Sequence, residues 1–249
     1  ELPRLIGFKD LQGDLQVQSN WSDGTDSIKE LAEAAAERGL RYILITDHTQ
    51  RLAMAHGLNV KRLRDQSKEI DEVNKAMKDK ITVLKGTECD ILKDGSLDLP
   101  DEALGELDIV GVSIHSYFNL PREAQTKRLI KAMRNPHADI VLHPTGRLIN
   151  RRAPIDVDID EVIAAAKETG TVMEIDSFPD RLDLKDEYIK KCVDAGVKMA
   201  ISSDAHHTHH FDFLELGIAQ ARRGWARRSD IVNAWPLEKM LSMLKDYKR

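Results

Sequence analysis

The chain has 249 residues, of which 41% are hydrophobic and 32% are charged. This length and composition are typical of a single soluble domain of α/β-barrel size, which buries a sizeable core without disulfides. The formal net charge of -5 argues against a nucleic-acid-binding protein held by bulk charge alone. We recognise no signal peptide and no apolar run that approaches the roughly 18 residues of a membrane span, so we expect a cytoplasmic protein.

The two cysteines, Cys89 and Cys192, lie far apart in apolar stretches. This placement favours buried free thiols in a reducing compartment over a disulfide. The chain starts at Glu1 without a methionine, which favours an excised domain or a processed chain. We expect residues 1–12 to be a lead-in linker and residues 13–249 to form a single domain.

Short apolar runs alternate with longer stretches of helical spacing along the chain. Several runs are almost entirely apolar, as expected for parallel strands that are covered on both faces. Seven strands with intervening helices predict an α/β fold, a distorted TIM-like (β/α)7 barrel, with functional residues at the carboxyl ends of the strands. The predicted strands are residues 14–18, 42–46, 81–88, 109–114, 140–142, 172–175 and 199–202.

Local signals place several of the helices. Ser27 and Glu30 have the spacing of a capping box, and Gly39 is suited to end the helix that they begin. Asp158 is predicted to cap a later helix that stops at Gly170. Helical spacing of apolar residues predicts further helices in residues 60–77, 189–193 and 237–244.

Carboxylate and histidine side chains stand at the predicted strand ends or just beyond them. Their oxygen and imidazole nitrogen atoms are ligands that hold divalent metals such as zinc and manganese. Seven such residues are too many for one ion, so they predict a cluster of two or three metals at one mouth of the barrel. The seven candidate metal ligands are Asp23, His48, Glu88, His115, His143, Asp204 and His206.

The first strand departs from this chemistry. Gln16 and Gln18 share one face of the strand, with Val17 on the other, because side chains alternate along a strand. A glutamine carbonyl oxygen is neutral and a weaker ligand than imidazole for zinc-like ions. Two interpretations of the pair stay open, as weak metal ligands and as inert polar side chains. Asp47, directly before His48, is expected to accept a ring N–H from a neighbouring histidine.

The polar residues at the strand ends form motifs that resemble those of the PHP (polymerase and histidinol phosphatase) domain attached to bacterial and archaeal family-X DNA polymerases. The resemblance covers nearly the whole chain and depends on the combination, since each motif alone is weak. It implies a PHP fold with up to three metals, usually zinc or manganese and in some cases iron, and phosphoester hydrolysis. The motifs are Gly13-Asp14-Leu15, Ser22-Asp23-Gly24, Thr46-Asp47-His48, Gly86-Thr87-Glu88, His115-Ser116, His143-Pro144-Thr145-Gly146-Arg147 and Ser203-Asp204-Ala205-His206.

The resemblance implies three metal positions. The first would use a pair of residues on the first strand together with Glu88 and Asp204. The family has His-x-His at this pair, whereas this chain has Gln16 and Gln18, so the first position departs from the pattern. The ligand sets of the second and third positions would be Glu88, His115 and His143, and Asp23, His48 and His206.

Glu88, Asp204 and His115 are the residues that we expect to act in catalysis. A carboxylate such as Glu88 can bridge two ions, and the ions together generate a hydroxide near neutral pH that attacks phosphorus. Guanidinium groups match phosphate oxygens in pairs. The predicted substrate-binding residues are therefore Arg147, Arg151 and Arg181, with Arg152 as a further candidate.

Three functions are open at this point. The resemblance implies a metal-dependent 3′–5′ exonuclease or 3′-end-processing enzyme of DNA repair, with DNA as substrate and a family-X polymerase linked before residue 1. Alternatively, the glutamine pair makes the domain a degenerate module with a structural or DNA-positioning role. A small-molecule phosphatase of the histidinol-phosphate type would share the fold. Neighbouring His207, His209 and His210 are interpreted as residues of a solvated loop, because the pattern needs only His206.

Overall fold

Seven parallel strands form one sheet within residues 3–246, which are the residues that the computed structural model describes. Each strand pairs with the next one along the chain, so the order in the sheet is the order in the sequence. The predicted strands are confirmed, with shifts of one or two residues at their ends. They are β1 Gly13–Val17, β2 Tyr42–Ile45, β3 Thr82–Asp90, β4 Ile109–Ser113, β5 Ile140–Val141, β6 Val172–Asp176 and β7 Met199–Ser202.

The sheet curves until its first and last strands meet at their carboxyl ends. Val17 of β1 forms a parallel bridge with Ala205, which follows β7. The backbone N–H of Gln18 donates to the carbonyl of Ala205 at 2.7 Å. The predicted TIM-like seven-stranded barrel is therefore confirmed, and the carboxyl ends of its strands surround one mouth.

Helices connect the strands and cover the outside of the barrel. The predicted capping box is present: the hydroxyl of Ser27 accepts the N–H of Glu30 at 3.3 Å, and the Glu30 carboxylate accepts the N–H of Ser27 at 2.8 Å. Gly170 and Gly196 end two helices in the left-handed region, with φ of 72° and 76°. The helices are α1 Ile28–Glu37, α2 Val60–Ala76, α3 Asp101–Leu104, α4 Arg122–Met133, α5 Ile159–Thr169, α6 Asp186–Ala195, α7 Leu214–Arg223 and α8 Leu237–Asp246.

Two apolar clusters form the core. The larger one lies between the sheet and the surrounding helices. The smaller one joins strand residues such as Leu15 and Ile140 to Met240 of α8. The hydroxyl of Tyr42, the first residue of β2, donates to the carbonyl of Trp235 at 3.0 Å. The segment that leads into α8 therefore lies at the amino end of the strands, opposite the mouth.

Asn233, just before α8, holds the first and last strands together. Its buried Nδ2 donates to the carbonyls of Gly13 at 2.7 Å and Ile201 at 2.6 Å. Its Oδ1 accepts the backbone N–H of Ile201 at 3.0 Å. One side chain thus fixes β1 beside β7 through three hydrogen bonds.

The described part of the segment that was predicted as a lead-in linker packs on the barrel. Ile6 is fully buried, and its backbone N–H donates to the carbonyl of Ala226 at 2.9 Å. Cys89 and Cys192 are both buried and free. Every helix among residues 3–246 is too short or too polar to span a bilayer.

Candidate metal centre

Glu88 lies at the centre of the polar residues around the mouth, near the end of β3, and is only 1% exposed. Its Oε1 is 2.7 Å from Nε2 of His143 and 3.0 Å from Nε2 of His115. Its Oε2 accepts the side-chain N–H groups of Gln18 at 2.9 Å and Gln16 at 3.1 Å. Oε1 therefore faces two imidazoles, whereas Oε2 accepts hydrogen bonds from two amides.

The surroundings keep Glu88 ionised. Burial alone would raise the pKa of this carboxyl group, because burial disfavours charge. The imidazoles of His48, His143 and His115 outweigh burial, and they hold the pKa of Glu88 well below its usual value. An anion is thus available in the interior, which is what a bridging metal ligand requires.

A second group of ligands lies nearer to solvent. Nε2 of His48 is 3.5 Å from Oδ2 of Asp23, and Nε2 of His206 is 3.6 Å from Oδ1 of Asp23. The other ring nitrogen of His48, Nδ1, is 3.6 Å from Oε2 of Glu88. His48 therefore belongs to two groups of three candidate ligands. One group is Asp23, His48 and His206, and the other is His48, Glu88 and His115. Within each group the ligand atoms lie within 4.8 Å of one another.

Two histidine rings are held in orientation from behind. Oδ1 of Asp90 is 3.3 Å from Nδ1 of His115 and also accepts the His115 backbone N–H at 3.2 Å. Nδ1 of His206 is 2.8 Å from the carbonyl oxygen of Asp204. Such contacts keep a ring proton on Nδ1, so that Nε2 is the atom that would exchange its proton for a metal. Burial lowers the pKa of His115, but Glu88 and Asp90 reverse this and raise it to about 9.

The sequence reasoning missed Asp90, although a signal was present. Glu88 and Asp90 are two residues apart on one strand, so their side chains share a face. The same spacing joins Glu174 and Asp176 on β6, which are also fully buried. Glu174 accepts the backbone N–H of His143 at 2.6 Å, so it fixes the position of a ligand rather than serving as a surface charge.

The expectation for Asp47 is wrong. Its carboxylate accepts the backbone N–H and the hydroxyl of Ser19, at 2.9 and 2.6 Å, and the backbone N–H of Ser22 at 3.1 Å. Neighbouring side chains on an extended backbone point to opposite sides, so Asp47 faces away from the partners of His48. It holds the loop that carries Asp23.

The residues of the third position, and His48 with Glu88 and His115 of the second, bring their ligand atoms close enough together for a divalent metal, while Nε2 of His143 lies 2.7 Å from Oε1 of Glu88. Nδ1 of His48, Nε2 of His115 and Nδ1 of His143 are buried nitrogen atoms without a hydrogen-bond partner in the structure. Imidazole nitrogens around a buried carboxylate are the donor set that zinc and similar ions prefer. The side chains of Asp23 and His206 are 34% and 27% exposed, so the third position is open to solvent.

The residues of the first position do not fit a metal. Gln16 and Gln18 present N–H donors to the carboxylate of Glu88, not ligand oxygens to an ion. Oδ2 of Asp204 lies 3.3 Å from Nε of Arg181, so a cation already contacts the remaining carboxylate. Asp204 adopts a positive φ of 53°, which turns its backbone sharply after β7.

The predicted substrate-binding arginines occupy different surroundings. Arg147 donates from Nε to the carbonyl of Arg181 at 2.7 Å and from Nη2 to the carbonyl of Leu182. Arg151 is 72% exposed and pairs with Asp180 at 3.1 Å. Arg147 therefore supports the loop that carries Arg181, while Arg151 is exposed and would meet a ligand from solvent only in competition with Asp180.

Arg152 packs against an aromatic ring, and the histidines that follow His206 form hydrogen bonds within their own loop. The guanidinium of Arg152 lies 3.9 Å from the ring centre of Phe118. Nδ1 of His207 accepts the backbone N–H of His209 at 3.1 Å, and Nδ1 of His210 accepts that of His206 at 3.2 Å. These ring atoms therefore order the loop around the short helix Thr208–Phe213.

Known proteins resemble this chain in sequence. A PHP domain model matches residues 14–144. DNA polymerase/3′-5′ exonuclease PolX of Bacillus subtilis is 46% identical over 241 residues, which are 97% of this chain but only 42% of that relative. A probable phosphatase of Thermoanaerobacter sp. is 32% identical over 234 residues, which cover 90% of this chain and 89% of that relative. The chain thus spans less than half of the polymerase and nearly all of the phosphatase.

Solved structures share the fold. A histidinol phosphate phosphatase of Lactococcus lactis, complexed with zinc, L-histidinol and phosphate, has a TM-score of 0.64 at 16% identity, covering 87% of this chain and 94% of that one. A chain from the metal-dependent tyrosine phosphatases of Bacillus subtilis and Streptococcus pneumoniae has a TM-score of 0.58 at 16% identity and covers 94% of both chains. At these identities the likeness concerns the fold alone.

Proposed function

Because this chain belongs to the PHP domain family, we propose that it is a metal-dependent phosphoesterase that hydrolyses phosphoester bonds at DNA ends. The observation that carries the proposal is the buried Glu88 carboxylate, surrounded by the imidazoles of His48, His115 and His143 at the mouth of the barrel. DNA is favoured as the substrate because the 46% identity to a DNA polymerase/3′-5′ exonuclease extends over 97% of the chain. The reaction would be that of a 3′–5′ exonuclease or a 3′-end-processing enzyme.

Two metal positions are built from this chain's own residues. Zinc or manganese would be held by Glu88, His115 and His143, and by Asp23, His48 and His206. When bound, such ions lower the pKa of water and neutralise charge on phosphate oxygens. Glu88 supplies the negative charge, and Asp90 keeps the His115 ring turned towards Glu88.

The exposure of the ligands indicates the direction from which substrate would approach. Glu88 and His143 are buried, whereas Asp23 and His206 reach solvent. A DNA end would therefore enter beside Asp23 and His206. Arg151 at the rim would contact a phosphate beyond the scissile bond, because its guanidinium is exposed and matches phosphate oxygens in pairs.

The test is Mn²⁺-dependent shortening of an end-labelled single-stranded oligonucleotide. We expect cleavage by the parent chain and loss of cleavage in Asp23→Asn. Asp194→Asn is the matched control, because Asp194 is an exposed carboxylate on α6 that pairs with Lys190. Equal cleavage by the parent and Asp23→Asn would contradict the proposed site.

A degenerate module is the second candidate, and the glutamine pair favours it. Such a chain would position DNA beside a linked polymerase segment, which we propose because the polymerase relative is more than twice as long. No cleavage by a folded parent chain that still binds the oligonucleotide would support this candidate. Hydrolysis of histidinol phosphate without cleavage of DNA would instead favour the small-molecule phosphatase, as in the structural neighbour from Lactococcus lactis.

A further inference from the structure

We propose that the Arg181 guanidinium and the side-chain amides of Gln16 and Gln18 take the place of the first metal ion, so that this chain binds two metals instead of three. The inference rests on the proposed function in one respect, since it requires that the second and third positions bind metals.

The two glutamines act on Glu88 as donors. Both Nε2 atoms point at the same carboxylate oxygen, at 3.1 and 2.9 Å. Turning either amide over would bring its oxygen against that carboxylate oxygen and would replace a charge-assisted hydrogen bond by a repulsion. The amides therefore give Glu88 the positive partial charge that a metal would otherwise give it.

This orientation of the amides leaves their two oxygen atoms without partners. Oε1 of Gln16 and Oε1 of Gln18 are both buried without a hydrogen-bond partner in the structure. A buried acceptor without a partner is costly. The pair keeps this orientation because each amide makes a charge-assisted hydrogen bond to a buried, ionised carboxylate.

Arg181 supplies a full positive charge, whereas the two amides supply only partial charges. Its Nε lies 3.3 Å from Oδ2 of Asp204 and 3.3 Å from Oδ2 of Asp176, and its side chain is only 19% exposed. Asp176 ends β6 and Asp204 follows the neighbouring β7, so two ionised carboxylates there would repel each other without a cation between them. One guanidinium thus lies between the two carboxylates and places a positive charge on this side of the mouth.

The loop around Arg181 holds the guanidinium in place. The carbonyls of Arg181 and Leu182 accept N–H groups of Arg147. The carboxylate of Asp183 accepts the backbone N–H and the hydroxyl of Thr145, both at 2.9 Å. A third dication at this side would have to displace an anchored cation or lie against it.

Metal stoichiometry tests the inference without relying on activity. The parent chain and its variants are stripped with a chelator, equilibrated with Zn²⁺ or Mn²⁺, freed of excess metal by gel filtration and analysed for metal per chain. We expect two ions in the parent and two in Gln16→His/Gln18→His, because Arg181 still occupies the position. We expect a third ion when Arg181→Met is added to that double variant.

A variant that keeps the positive charge tests whether that charge, rather than the shape of the arginine side chain, excludes a third ion. Arg181→Lys in the same double background keeps a positive charge and is expected to hold two ions. Three ions in this variant, in the parent or in Gln16→His/Gln18→His would overturn the inference, as would two ions in the folded Arg181→Met combination. If that combination does not fold by circular dichroism, Arg181→Gln in the same double background takes its place, with three ions expected and two ions overturning the inference.

The outcomes also separate this inference from the proposed function. Fewer than two ions in the parent chain would overturn the proposed function, and the inference with it. Three ions in the parent would leave the proposed function standing and overturn the inference alone.

Discussion

Oδ1 of Asp90 lies 3.3 Å from Nδ1 of His115 and accepts the backbone N–H of the same residue at 3.2 Å. One carboxylate oxygen thus fixes both the ring and the backbone of His115. Because the opposite ring nitrogen faces Glu88 at 3.0 Å, a change at Asp90 would be transmitted to the centre of the site.

Asp90→Asn is therefore expected to weaken metal binding. Removing a partner of this kind lowers metal affinity by roughly 10- to 100-fold. Competition with a chelating dye measures the affinity, with Asp94→Asn as the control because Asp94 is an exposed carboxylate. Equal affinities in Asp90→Asn and the parent would remove the orienting role of Asp90.

Glu88→Gln should lower the metal content and abolish hydrolysis together. The substitution removes the charge that the surrounding imidazoles stabilise, so at least one ion is expected to be lost and hydrolysis with it. Metal analysis and oligonucleotide cleavage are measured on the same preparation, with the exposed Glu102→Gln as control. An unchanged metal content in Glu88→Gln would contradict a bridging role.

Arg151→Gln is expected to weaken DNA binding with little effect on the cleavage rate of bound substrate. Its guanidinium lies at the rim, so it would contribute one phosphate contact and reduce the salt dependence of binding by about one unit of slope. Fluorescence anisotropy at several salt concentrations measures this. Arg134→Gln is the control, since Arg134 is exposed and pairs with Glu168 on the outer helices; a similar loss in both variants would argue against a specific contact.

Asn233→Ala should destabilise the barrel by about 3 kcal/mol, because it leaves three buried backbone groups without partners. Those groups are the carbonyl of Gly13 and both backbone polar groups of Ile201. Urea unfolding gives the free energy, and Asn119→Ala at an exposed position is the control. A loss below about 1 kcal/mol would show that water or neighbouring groups replace the side chain.

The two thiols are expected to be unreactive in the folded chain at pH 8. Burial raises the pKa of the Cys192 thiol to about 12, and Cys89 is likewise fully buried with a raised pKa. The thiolate is the reactive form, and it is scarce when the pKa lies above the pH. Titration with a disulfide reagent should detect no thiol before denaturation and two afterwards; a fast reaction of one thiol in the folded chain would contradict this.

The strands and the seven candidate ligands could be predicted because each depends on local pattern. An apolar run ending in a carboxylate or histidine can be recognised without knowing its neighbours. The direction of the Gln16 and Gln18 amides could not be predicted, since it depends on Glu88, which is 72 residues away from Gln16. The pairing of Arg181 with Asp204 likewise arises only when the carboxyl ends of β6 and β7 are brought side by side.

The role of Arg147 could not be predicted from the sequence either. A guanidinium near a predicted mouth has the chemistry to bind phosphate, but the sequence does not tell which carbonyl groups compete for it. In the folded chain the carbonyls of Arg181 and Leu182 accept its N–H groups. Competition of this kind is decided by loop conformation, which residue spacing does not encode.

The clamp formed by Asn233 also has a consequence for the order of events during synthesis. Gln16 lies on β1 and Gln18 directly follows it, but β1 is fixed beside β7 through a residue that the ribosome adds more than 200 positions later. His206 and Asp204 are likewise added after most of the barrel. A nascent chain therefore cannot assemble the complete centre before residue 233 has been added, and we expect metal capture to follow that point.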